Sequence, residues 1–119
     1  MSYDENNIFA RILRGEIPCD KVHENDHALA FRDIAPKAPT HVLVIPKGRY
    51  GTLHEFAEKG SDTELAAWVR AMAAVAQAEG VVEDGYRTTC NNGRHGNQEV
   101  PHLHMHIVGG RQLGSAPRG

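Results

Sequence analysis

A chain of 119 residues with 40% hydrophobic and 24% charged side chains has an ordinary globular composition, enough for one modest core, so a single domain over residues 1–119 is expected. A net charge of −2 excludes a general binder of nucleic acid or anionic membrane, which carries a clustered basic excess, and any phosphate ligand must be held locally. Nothing approaches the roughly 20 apolar residues of a membrane span, and Cys19 and Cys90 form no CxxC pair that would signal a redox motif or zinc knuckle.

The opening MSYDENNIFA is acidic and polar where a secretory signal would be basic and then apolar, so a cytoplasmic setting with reduced thiols is the expectation. Over residues 6–15, Ile8, Phe9, Ile12 and Leu13 recur at helical spacing, and Gly15 followed by Pro18 makes a stop. Asp26 begins a turn. Leu29 and Phe31 then alternate with Ala28, Ala30 and Arg32, which predicts a strand ending at Asp33. Pro36 and Pro39 cannot continue a ladder and make residues 35–39 a rigid loop. The run from His41 to Pro46 is continuously apolar after His41 and rich in β-branched residues, the pattern of a strand buried on both faces.

Ser61 and Glu64 match a capping box at the start of a long helix, whose apolar stripe is Leu65, Trp68, Val69, Met72 and Val75 and whose end is Glu79-Gly80. Residues 86–91 form the third strand candidate, and residues 92–98 a loop rich in turn formers. Helix, strands, long helix and strands give an α+β pattern, an antiparallel sheet with helices on one face.

That loop leads into HLHMHIVGG, where His102, His104 and His106 alternate with Leu103, Met105 and Ile107. Alternation is the side-chain period of a strand, so the three imidazoles should emerge from one face, roughly 6.6 Å apart, and the apolar set should face the helices. A strand gains no stability from such a row, and gathering groups that titrate alike is costly when more than one is charged. The row is therefore read as a site for a metal ion or for chemistry on phosphate.

Residues 102–108 resemble the HφHφHφφ signature of the histidine triad (HIT) superfamily, φ being an apolar residue. The likeness extends to Ile8-Phe9, Gly15-Glu16-Ile17-Pro18, Ala30-Phe31-Arg32-Asp33-Ile34, Ala38-Pro39-Thr40-His41, Ile45-Pro46-Lys47 and Gly109-Gly110-Arg111, which look like the Hint branch. The resemblance implies a HIT-like α+β fold: an antiparallel sheet of about five strands with one long and one short helix, continued across a homodimer. It also implies a purine nucleoside monophosphate site, cleavage of the P–N bond of nucleoside phosphoramidates, and no cofactor.

By position, His104 corresponds to the family's nucleophile, and His102, His106 and His41 to its companions that orient, hydrogen-bond and relay protons. Asp33 corresponds to the ribose ligand, and Phe9, Ile12, Phe31, Ile34 and Leu43 to the apolar base cleft. Asn91 matches a contact near the sugar, Gln98 one near the phosphate, and Glu99 a position that is serine in animal relatives. Pro101 stands where tyrosine is common and Asn97 where glycine is common, and residues 112–119 lack the tryptophan-containing end of animal relatives.

For attack on phosphorus, His104 must be neutral, with one nitrogen carrying a lone pair and the other donating its proton to a fixed acceptor. Three other readings stay open on sequence: an Fhit-like hydrolase of dinucleoside polyphosphates, a nucleotide-binding adaptor, and a protein holding Zn²⁺ through His102, His104 and His106. An aprataxin-like role in DNA repair is disfavoured by the lack of a zinc-finger extension or basic surface.

Overall fold

The computed structural model describes residues 3–115. The elements in chain order are α1 (Ile8–Leu13), β1 (Lys21–Glu24), β2 (Ala28–Arg32), β3 (Thr40–Pro46), α2 (Leu53–Lys59), α3 (Asp62–Ala78), β4 (Arg87–Thr89) and β5 (Met105–Gly109). The strands form one antiparallel sheet in the order β1-β2-β3-β5-β4. No helix among the described residues is long and apolar enough to cross a membrane.

Local chemistry sets the helix ends. The Asn7 side chain accepts from Ala10 N–H to start α1. Gly15, at φ 79°, closes it with the paired bonds Gly15 N–H to Ile12 C=O and Glu16 N–H to Arg11 C=O. α3 repeats the scheme: Ser61 and Glu64 form the capping box, and Gly80, at φ 70°, allows Val81 N–H to reach Ala76 C=O.

β2 and β3 are covered on both faces, because the sheet has a core on each side. Ala28, Ala30, Val42, Val44, Leu103 and Ile107 pack with Phe56 of α2 and Trp68, Ala71 and Val75 of α3, where the Trp68 indole N–H donates to Val44 C=O at 3.0 Å. On the opposite face Leu29, Phe31, Leu43 and Ile45 pack with Phe9 of α1, flanked by Ile12 and Leu13. Placing all helices on one face is thus corrected: α1 crosses to the other. The even-numbered residues of β3 face the long helix and the odd-numbered ones, including His41, face α1.

The structure differs from the expected elements at four other places. Helix α2 makes two short helices instead of one; its apolar signal is little more than Leu53 and Phe56, held in a helix by the Thr52 cap and burial of Phe56. β1 carries a bulge between Lys21 and His23 and has Val22 as its one aliphatic residue, too little for alternation to register. Val69 lies 58% exposed outside the core stripe of α3, and Ala71 and Ala76 take the buried positions instead. The third strand is shorter than residues 86–91, spanning Arg87–Thr89.

Candidate active site

The histidines lie on the α1 face, where the turn preceding β5 meets the mouth of β3. The strand begins only at Met105, so His102 and His104 precede it. Leu103 is nonetheless fully buried in the core beneath α3, as alternation predicted. Leu103 N–H is bonded to Tyr50 C=O, and His102 N–H to Val100 C=O, which bends the backbone away from the β3 ladder.

This bend separates the triplet. The rings of His104 and His106 stand 5.1 Å apart and those of His106 and His41 5.2 Å apart, so the row that forms is His104, His106, His41. His102 instead turns inward. Its Nε2 lies 2.8 Å from Pro46 C=O, and its Nδ1 meets the Tyr3 hydroxyl.

Each ring's tautomer follows from its partner. A carbonyl only accepts, so His102 carries its proton on Nε2, toward Pro46, and Nδ1 accepts from Tyr3. His104 Nδ1 lies 2.7 Å from His102 C=O and must be its donor, which leaves the lone pair on Nε2. That nitrogen has no hydrogen-bond partner among the described residues, where no sealed side-chain nitrogen or oxygen lacks one, so Nε2 keeps an opening to the surface. His41 Nδ1 accepts from Lys37 N–H at 3.0 Å, so its proton is on Nε2, which donates to His106 Nδ1 at 2.9 Å. His106 consequently presents an N–H at Nε2.

Burial keeps all four rings neutral. Desolvation brings His102 and His106 down to about 4, helped for His102 by His104 and for His106 by both neighbouring rings. It lowers His104 and His41 as well, against the opposing pull of Asp33. The resting site therefore contains a bare imidazole nitrogen beside an imidazole N–H, an arrangement suited to attack an electrophile while binding an oxygen attached to it.

The zinc reading through His102, His104 and His106 does not survive this geometry, because both nitrogens of His102 are engaged elsewhere. Asp33, His41 and His106 do bring one ligand atom each within 4.8 Å of one another. With Lys37 N–H on Nδ1, however, His41 keeps a proton on Nε2, the nitrogen that faces the cluster, and offers no lone pair there.

The other predicted residues divide. Asp33 is half-buried; Oδ1 accepts from Ala35 N–H at 2.8 Å, which shapes the proline loop, and Oδ2 stands 3.4 Å from His41 Nε2. Phe9, Ile12, Phe31 and Leu43 share one apolar cluster, and Phe9 sets its ring edgewise 5.0 Å from His104. Ile34 is 96% exposed and outside that cluster. Asn91 is half-buried and Glu99 exposed. Gln98 is committed to its own loop: its oxygen accepts from Gly93 N–H, and its amide donates to Gly51 C=O and Val100 C=O, so its side chain has no donor left for a phosphate. Residues 1–2 and 116–119, the latter part of the predicted tail, lie outside the described residues.

Sequence reasoning missed Tyr3, Pro46 C=O and Lys37 N–H, the groups that set the tautomers. Main-chain groups leave no residue signature, and Tyr3 sits 99 positions from its partner.

The family model described as the HIT domain matches residues 14–113. The chain is 57% identical over 113 residues to an uncharacterised 13.2 kDa HIT-like protein of Azospirillum brasilense, with 95% of this chain and 93% of that protein covered. It is 46% identical over 110 residues to the purine nucleoside phosphoramidase of Escherichia coli K12, with 92% of each covered. A crystal structure of a HIT family hydrolase from Legionella pneumophila superposes with a TM-score of 0.84 at 45% identity, covering 92% of this chain and 96% of that one. With the family model spanning most of the chain, and relatives of this identity matching over nearly their whole length, this chain belongs to the histidine triad (HIT) family.

Proposed function

We propose that this enzyme hydrolyses the P–N bond of purine nucleoside phosphoramidates, such as adenosine phosphoramidate or lysyl-AMP, through a covalent nucleotidyl-imidazole on His104. The observation that carries the reading is the orientation of His104: Nδ1–H is tied to the His102 carbonyl, and the lone pair of Nε2 is left open next to an imidazole donor. The coarser activity, a HIT family hydrolase, is supported by the Legionella structure, and the substrate class by the Escherichia coli relative.

In the first step the Nε2 lone pair forms a bond to phosphorus as the P–N bond breaks, and its electron pair leaves with the amine. The amine takes one proton from the His41–His106 pair. That pair is neutral in the free protein and gains a proton only when the bound phosphoryl anion offsets the cost of a buried cation. His106 Nε2–H meanwhile binds a phosphoryl oxygen. Water then attacks phosphorus, the bond to Nε2 breaks, and the proton from water returns to the pair; the products are nucleoside monophosphate and free amine.

The base would lie against Phe9, Ile12, Phe31 and Leu43, with exposed Ile34 as the outer wall. Asn91 would contact the sugar, and Glu99 would face the leaving group. A homodimer with a sheet continued across the interface belongs to the same proposal; β4 stands at the sheet edge, and Val69, Val82 and Tyr86 are exposed.

Acid quenching during turnover of a nucleoside phosphoramidate labelled in its nucleotide should trap label on the protein, and peptide mapping should locate it at His104. Turnover without label at any quench time would rule out the covalent route. A kcat/KM for dinucleoside polyphosphates above that for phosphoramidates would favour the Fhit-like alternative, and nucleotide binding without turnover the adaptor.

For ribose, Asp33→Asn retains the oxygen that caps Ala35 N–H but removes the charge. Calorimetric titration should show adenosine monophosphate binding roughly tenfold weaker, the loss of a charge-assisted hydrogen bond, with little change for the 2′,3′-dideoxy analogue. An equal loss for both ligands would remove Asp33 from the ribose site.

A further inference from the structure

We propose that Tyr3 is a positioning residue of this site, whose hydroxyl holds the His102 ring at Nδ1 and thereby fixes the carbonyl that orients His104. The inference rests on the reading of His104 as nucleophile. It begins from a contact that bridges 99 residues: Tyr3 O–H donates to His102 Nδ1, with the two rings edge-to-face and their centroids 5.6 Å apart.

His102 is fully buried, and its two nitrogens have one partner each. Pro46 C=O can only accept, so it permits a proton on Nε2 and says nothing about Nδ1. The Tyr3 hydroxyl takes up that nitrogen, so the ring is pinned at both ends. The placement of His102 matters because its own carbonyl is the acceptor for His104 Nδ1–H, 2.7 Å away.

The groups surrounding the pair do not supply this control. Phe9 of α1 presents its ring edgewise to His102 at 6.4 Å and cannot hydrogen-bond to it. Glu5, Arg14, Arg49 and the Asn7 side chain act on Tyr3 rather than on His102. Burial raises the Tyr3 hydroxyl above its usual range, so it stays a donor at neutral pH. The segment before α1 thus acts as a strap: Asp4 C=O accepts from Asn7 N–H and from the Asn7 amide, which anchors the chain beside Tyr3.

The test compares Tyr3→Phe, which retains the ring, with Tyr3→Leu, which loses it. Tyr3→Phe is expected to lower kcat for a nucleoside phosphoramidate roughly tenfold, the equivalent of one hydrogen bond, with KM within about twofold of wild type. Nitrogen-15 spectra of the free protein at pH 7 should show the His102 Nδ1 resonance displaced in Tyr3→Phe, as expected of an unprotonated ring nitrogen that has lost its donor. Unchanged kcat and Nδ1 resonance in Tyr3→Phe would overturn the proposal, and a defect confined to Tyr3→Leu would assign Tyr3 to packing alone. The nitrogen-15 measurement needs no substrate. If the wild-type protein fails to hydrolyse phosphoramidates, the proposed function falls while the control of His102 by Tyr3 is still decided.

Discussion

Replacing His104 with alanine is expected to lower phosphoramidate turnover by roughly 10³-fold or more, with affinity for nucleoside monophosphate within about threefold of wild type. The asymmetry follows from the place of the ring. On the proposed reading His104 would offer one nitrogen to the substrate, and the base and ribose would be held by Phe9, Phe31, Leu43 and Asp33, which alanine at position 104 leaves in place. The fold should tolerate the change, because the single bond lost, from Nδ1 to the His102 carbonyl, leaves an acceptor that water can reach through the vacated space. Steady-state kinetics and calorimetric titration on the same preparation check both halves. Turnover within tenfold of wild type would remove His104 as nucleophile, whereas lost affinity would mean that the ring mainly binds.

Acid should destabilise the folded protein from about pH 6.5 downward, through its buried histidines. His102 and His106 are held at about 4 against an ordinary value of 6.5, and His41 and His104 are displaced in the same direction. The unfolded chain therefore binds more protons than the folded one between pH 6.5 and about 4, so stability rises with pH across that window and levels off above it. At about 1.4 kcal/mol for each tenfold change, fully buried His102 accounts for roughly 3 kcal/mol, with a smaller share from half-buried His106. Urea denaturation at intervals from pH 7.5 to 4.5 should show a midpoint that is level down to about pH 6.5 and falls below it. The exposed ion-paired Glu24, held at about 2, contributes only further down. A constant midpoint between pH 7 and 5 would show that the imidazoles are not kept neutral by the fold. Addition of nucleoside monophosphate should flatten the slope, because the phosphate would stabilise a protonated ring.

Alternation alone assigns Leu103 and Ile107 to the core, and they lie there. The resemblance groups His41 with His106, 65 positions apart, and the two rings meet at 2.9 Å. Alternation failed at His102. A period of two presumes a continuous strand, and the bond from Leu103 N–H to Tyr50 C=O interrupts the ladder before Met105. Gln98 has the right chemistry for a phosphate ligand, but the loop it belongs to consumes every group of its amide.

The capped ends of α1 and α3, the apolar period of β3 and the crowding of histidines near the C-terminus are written in neighbouring residues, since caps, periodicity and composition act over a few positions. The sequence by itself therefore determined the family, the α+β class and the histidines that the structure gathers at one face. The side of the sheet taken by α1, the inward turn of His102 and the nitrogen on which each imidazole carries its proton were decided by tertiary structure. Those choices depend on carbonyls, amides and a tyrosine hydroxyl brought from distant parts of the chain, and a main-chain acceptor such as Pro46 C=O has a position only once the sheet has formed.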